Sequence, residues 1–132
     1  MSAERTVTVP ILVRSVRSVV VPEPSWCLGH PEAQPPEAQV DLTHEGFPVS
    51  LSLSLGDEEP QPFLTLTPVS HPYSSAEDRR GPFVFVSVEL DDMACTPAEL
   101  LVLADQFAEH AAALRAWARY FSYLLADGEA GR

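Results

Sequence analysis

A cysteine and two histidines are the residues of this chain best suited to chemistry. They stand in two short stretches, Trp26-Cys27-Leu28-Gly29-His30 and Thr43-His44-Glu45-Gly46. Two residues separate Cys27 from His30, a spacing typical of zinc ligands, and Gly29 allows a tight turn between them. Zinc prefers thiolate and imidazole ligands, and His44 supplies a further imidazole. The pattern predicts a zinc site formed by Cys27, His30 and His44.

A structural zinc site has four protein ligands. The sequence offers four candidates for the fourth and does not choose among them: Asp41, Glu45, His71 and Cys95. The alternative interpretation makes Cys27 and Trp26 a buried apolar anchor and leaves the histidines as surface polar residues.

The same residues also have the types that a nucleophilic enzyme uses. Cys27 would be the nucleophile and either histidine the base, with Asp41 or Glu45 orienting that base. No recognised catalytic frame, such as a G-x-S-x-G turn or a glycine-rich phosphate loop, accompanies them. We therefore expect a protein without enzymatic activity.

The segment that carries these residues, 22–48, is rich in proline and has no sustained periodicity. It is predicted to be an irregular loop. Connections of this length are uncommon in compact domains unless they are functional or disordered. A metal would fasten both ends of this loop. The sequence does not say whether residues 31–39 are ordered.

Alternating apolar residues predict strands on both sides of this loop. The first pattern covers 6–13, includes Pro10 as expected of an edge strand or bulge, and resumes at 16–21 after a bend. Residues 49–55 and 63–67 form a predicted hairpin around an acidic turn. Residues 83–90 are apolar on both faces at first, which favours a central strand.

The C-terminal part predicts one long helix over 97–125 and a tail at 127–132. Thr96 and Glu99 form a capping box with Pro97 at the first helical position, and Asp127-Gly128 is a stop signal. A helix of this length measures about 43 Å, at least the diameter of a domain of this size. Together with Trp26, the aromatic residues at its end are the predicted partner-contacting residues: Trp117, Tyr120, Phe121 and Tyr123.

These elements make one α+β domain over residues 1–132. We expect an antiparallel sheet of about four strands with the long helix packed on one face. A helix that crosses the whole sheet suits a monomer, and a helix whose end projects suits a homodimer. The sequence leaves both open.

The charge of the chain limits its partners. Eight basic residues oppose nineteen acidic ones, which gives a net charge of −11. This balance argues against direct binding of nucleic acid or of an anionic membrane surface. It leaves open an acidic regulator that mimics DNA and occupies the basic surface of another protein. No signal-peptide pattern and no membrane-length apolar run are present, so we expect a cytoplasmic protein with reduced cysteines.

The stretches around Cys27 and His44, and the strand at 84–89 that leads into a Leu/Ala-rich helix, resemble an uncharacterised family of small actinobacterial proteins. This family is a domain of unknown function with a Trp-Cys…His…His-x-Gly core. The resemblance implies no activity, and it makes Cys27, His30 and His44 the positions of interest. We predict a non-enzymatic protein-interaction module with a zinc ion in its 26–46 loop.

Overall fold

The fold is α+β, as the sequence predicts. The computed structural model describes residues 4–12, 16–30 and 38–130. Two antiparallel sheets precede one long C-terminal helix. Along the described parts of the chain, no helix combines the length and apolar composition that a membrane crossing requires.

The N-terminal strands form a separate hairpin. Strand β1 (Thr6–Leu12) pairs antiparallel with β2 (Val16–Pro22). The predicted continuation of one bent strand was therefore wrong, because a period-two pattern specifies which residues share a face but not whether the chain reverses. Residues 13–15, which include the end of the predicted 6–13 pattern, lie outside the described residues. Pro10 pairs opposite Ser18 in a two-stranded sheet, where both strands are edges, as expected.

The second sheet is built around one long strand. It comprises β3 (His44–Glu45), β4 (Val49–Leu53), β5 (Gln61–Ser70) and β6 (Phe83–Val88). Both β3 and β4 pair antiparallel with one edge of β5, and β6 pairs antiparallel with the other edge. The predicted hairpin of 49–55 with 63–67 is thus present as β4 and β5.

Strand β6 is not central, contrary to the prediction for residues 83–90. It pairs only with β5 among the described strands, and Phe85 and Val88 are exposed to 58% and 66%. Apolar residues on both faces favour a covered strand only if a layer lies over each face. The described residues leave a large part of β6 uncovered.

The predicted irregular loop at 22–48 contains regular structure. A 3-10 helix covers Gln39–Asp41, and β3 follows. Leu42 between them is buried with Val9 and Val21 of the hairpin, so this segment joins the two sheets. The prediction of an irregular loop was wrong for Gln39–Asp41 and His44–Glu45, because elements of two or three residues give no periodic signal. Residues 31–37, which include most of the 31–39 stretch, lie outside the described residues.

After the short helix α1 (Glu77–Arg80), helix α2 covers Pro97–Ala130. It begins at Pro97 as predicted. Glu99 N donates to Thr96 Oγ1 at 3.1 Å and Thr96 N donates to Glu99 Oε1 at 3.2 Å, which is the reciprocal capping box. The predicted stop at Asp127-Gly128 was wrong, because one glycine lowers helix stability by only about 1 kcal/mol. Of the predicted tail, 127–130 are helical and 131–132 lie outside the described residues.

Helix α2 packs on the sheet beside β4. Leu103 and Ala113 lie against the buried cluster of Leu51, Leu53 and Phe63. Two polar side chains of the helix then reach the backbone of the segment around the end of β4. Gln106 pairs with both the N–H and the carbonyl group of Ser54, and His110 Nε2 lies 2.7 Å from the carbonyl oxygen of Ser52. The helix therefore packs on the sheet and also binds backbone groups at the end of β4.

Candidate metal centre

A tight turn after β2 positions the first two candidate ligands. Cys27 N donates to the carbonyl oxygen of Pro24 at 3.1 Å, which closes the turn. Gly29 then adopts a positive φ of 103°, a conformation that favours glycine. Its N–H points to Cys27 Sγ at 3.5 Å, and His30 Nε2 lies 3.7 Å from the same sulfur. The two-residue spacing thus brings both side chains to one point, as the sequence predicts.

The third candidate ligand arrives from the second sheet. His44 lies opposite Ser70 in the pairing of β3 with β5, and its side chain is buried. Leu28 N donates to the carbonyl oxygen of Glu45 at 2.9 Å, which fastens the Cys27 turn to β3. His44 Nδ1 consequently lies 3.2 Å from His30 Nε2.

The turn and the sheet approach each other closely at Gly46. A Cβ atom at this position would lie 2.5 Å from Pro68 Cγ and 2.9 Å from the carbonyl oxygen of Trp26. Gly46 N also donates to the carbonyl oxygen of Pro68 at 2.8 Å. Trp26 immediately precedes Cys27, so this contact sets how closely the sulfur approaches β3.

Two of the separations among these three side chains match those of a zinc site. Cys27 Sγ and one ring nitrogen each of His30 and His44 all lie within 4.8 Å of one another. Tetrahedral zinc separates two nitrogen ligands by about 3.3 Å and a sulfur from a nitrogen by about 3.6 Å. The corresponding distances here are 3.2 Å and 3.7 Å. The three ligand atoms are therefore close enough together to hold a metal ion.

The electrostatics of the cluster favour neutral side chains. Burial raises the pKa of the Cys27 thiol, and the backbone N–H groups of Gly29 and Glu45 oppose this shift. Burial lowers the pKa of His30, so its ring is neutral at pH 7. A neutral imidazole is ready to bind a metal, whereas the thiol must release its proton when the metal binds. The raised pKa of Cys27 and the lowered pKa of His30 also disfavour an ion pair between a Cys27 thiolate and a His30 imidazolium.

A buried carboxylate, Glu23, lies beside the cluster. Its Oε2 accepts from Arg5 Nε at 2.8 Å, whereas its buried Oε1 makes no hydrogen bond within the described residues. A side-chain interaction with the Cys27 thiol, and then its negative charge, act to raise the pKa of Cys27, and the charge also acts to raise the pKa of His30. Glu23 was not among the residues predicted from the sequence. It stands between two prolines, four residues before Cys27, and this spacing matches no ligand pattern.

None of the four residues predicted as a fourth ligand joins the three-residue cluster in the described chain. His71 Nδ1 lies 2.9 Å from Thr43 Oγ1 instead, and Cys95 is a free cysteine just before α2. Asp41 and Glu45 are exposed.

The predicted partner-contacting aromatic residues divide into buried and exposed groups. Trp26 and Phe121 are buried, with 6% and 4% of their surface exposed, and Trp117 is half-buried. Tyr120 and Tyr123 remain accessible, at 50% and 80%. Only these two tyrosines are free to contact a partner over a large part of their surface.

An open cavity of about 630 Å³ lies where the loop after β4 faces the segment after β6. Its apolar wall includes Leu53 and Phe63. Five carboxylate side chains also line it: Glu58, Glu59, Glu89, Asp91 and Asp92. Carboxylates beside an apolar wall suit a ligand that carries a cationic group on an apolar chain.

Comparison with known proteins identifies the family of the chain. The profile of a family described as a domain of unknown function, DUF6907, matches residues 6–121. The chain belongs to this family, and the matched region includes both sheets and the whole cluster. No curated protein and no solved structure shows a significant match.

Proposed function

We propose that this DUF6907 protein is a non-enzymatic, cytoplasmic protein-interaction module whose 26–46 segment is fastened by a structural zinc ion. The observation that carries the proposal is the convergence of Cys27 Sγ, His30 Nε2 and His44 Nδ1 at distances that suit tetrahedral zinc. Zinc in this position cross-links the turn after β2 to the second sheet. Two unpaired cysteines suit a reducing compartment, where a buried thiol is available for metal binding.

The metal content of the purified protein tests this proposal. Protein prepared without a histidine tag or chelator should contain about one zinc per chain by elemental mass spectrometry. His30→Ala should lower the content severalfold, because it removes one ligand from a half-buried position. His110→Ala is the matched control, since His110 contacts Ser52 and Phe63 and not the cluster. Zinc-free wild type, or equal zinc in both variants, would refute the site.

Exposed apolar side chains support the interaction role. Val88 on β6, Leu101 on α2 and Tyr123 near the end of α2 are 66%, 70% and 80% exposed. Exposed apolar side chains mark a surface that binds other proteins where they lie side by side in one patch. We propose that a partner protein or a second copy of the chain covers them. A homodimer is the simplest closed arrangement.

The cavity with five carboxylates favours a second candidate function, an acidic regulator of a basic protein. Charge complementarity predicts that this cavity captures arginine side chains, with an affinity that weakens as salt screens the charges. A fluorescent hexa-arginine peptide, titrated at low and at physiological salt, measures this affinity.

A pair of matched double variants separates cavity binding from net charge. Glu89→Gln with Asp91→Asn removes two charges from the cavity, whereas Asp105→Asn with Glu109→Gln removes two from the exposed face of α2. We expect the cavity pair to weaken binding about fivefold and the helix pair to change it by less than about twofold. Equal losses would show attraction by net charge alone.

A further inference from the structure

We propose that Glu23 is the fourth ligand of the zinc centre and binds the metal through Oε1. This inference rests on the proposed zinc site. It assigns a role to a residue that the spacing of the cysteine and histidines does not reveal.

One carboxylate oxygen of Glu23 is unsatisfied. Glu23 is only 8% exposed, and Oε1 is buried without a hydrogen bond in the described structure. A buried carboxylate oxygen loses its hydration, and an unpaired one is costly to fold. Oε2 differs, because Arg5 Nε lies 2.8 Å away. The Arg5 guanidinium therefore holds Oε2, whereas Oε1 is available to bind a metal cation.

The charge of the buried site also favours a carboxylate as the fourth ligand. Zinc with one thiolate and two neutral imidazoles retains a net positive charge in a region where Cys27 and His44 are almost fully buried. A carboxylate ligand makes the centre neutral, which lowers the cost of burying it.

The position of Glu23 also suits a ligand of this centre. Glu23 N donates to the carbonyl oxygen of Arg5 at 2.7 Å, so the backbone of this residue is held at the end of the first hairpin. Its side chain is near enough to interact with Cys27 and His30, two of the three ligands. Glu23 is not among the residues whose ligand atoms lie within 4.8 Å of one another. Its Oε1 must therefore move toward the three ligand atoms when the metal binds.

Cobalt is the probe that tests this assignment, because the visible spectrum of bound Co²⁺ reports the number and type of its ligands. The full chain is titrated with Co²⁺ as wild type, Glu23→Gln and Glu45→Gln. We expect all three to bind one Co²⁺ through Cys27 and the two histidines. Only Glu23→Gln should change the d–d bands and weaken zinc binding, by at least about tenfold, since loss of a ligand or its support typically has this effect. Glu45→Gln is the control for a neighbouring exposed carboxylate.

The outcomes separate this inference from the zinc site itself. If Glu23→Gln keeps the wild-type spectrum and its zinc affinity within about twofold, Glu23 is not a ligand and the site stands without it. If wild type binds neither Co²⁺ nor zinc, both proposals fail. Should Glu23→Gln not fold, as judged by circular dichroism of the metal-free protein, Glu23→Asp replaces it. Glu23→Asp keeps the negative charge, but its side chain is one methylene shorter and the carboxylate lies farther from the metal. The d–d bands of bound Co²⁺ must therefore change in this variant too.

Discussion

Replacement of Cys27 by serine is expected to make the stability of the protein independent of zinc. In the wild type, free zinc at one hundred times the dissociation constant stabilises the folded state by about 2.7 kcal/mol if zinc binds only that state. For a domain of this size, that energy raises Tm by about 10 °C. A serine hydroxyl is a poor zinc ligand compared with thiolate, so the variant should show no comparable rise.

Thermal unfolding with zinc and with excess chelator measures this effect. Cys95→Ser is the matched control, because it removes the other free cysteine, which lies outside the cluster. We expect the control to keep the full zinc-dependent rise. A similar rise in Cys27→Ser would mean that zinc stabilises the protein at some other place.

A single methyl group at position 46 is expected to destabilise the protein by about 3 kcal/mol, the upper part of the range for overpacking. In Gly46→Ala the new Cβ would lie 2.5 Å from Pro68 Cγ and 2.9 Å from the carbonyl oxygen of Trp26. A proline ring and a backbone oxygen cannot move aside as a flexible side chain can. The segment before Cys27 must therefore move away from the sheet, so zinc affinity should fall as well.

Urea unfolding of the zinc-free protein measures the first effect, and competition with a chromogenic chelator measures the second. Gly81→Ala is the matched control, since a Cβ at Gly81 meets nothing within 4 Å and the residue has a negative φ of −74°. We expect the control to change stability by less than about 1 kcal/mol. If Gly46→Ala resembles this control in both measurements, the close approach is not a constraint.

Much of the fold follows from local patterns in the sequence. The alternation that begins at Val49 predicts β4, and Thr96 with Glu99 predicts the start of α2 to the residue. These signals depend on neighbouring residues only. The reversal between β1 and β2, and the exposed edge position of β6, depend on which elements cover each other. The sequence of a single strand or helix does not indicate which other element it will pair with.

The candidate site divides in the same way. Cys27 and His30 are close because of a short turn with a glycine at positive φ, which their spacing indicates. His44 reaches them because β3 pairs with β5, and its residue type alone suggested it. Glu23 could not be found from spacing, since its relevance depends on burial and on an oxygen without a partner.

The way α2 meets β4 limits how this protein can assemble. Gln106 and His110 bind backbone groups of Ser52 and Ser54, and Leu28 N binds the carbonyl oxygen of Glu45 on β3. These contacts occupy part of the side of the sheet that carries β3 and β4, whereas β6 on the opposite side has β5 as its only partner among the described strands. Strand addition to this sheet is therefore less hindered at β6 than at β4. Two copies that paired through β6 would cover this edge in both copies, and their two-fold symmetry would close the arrangement.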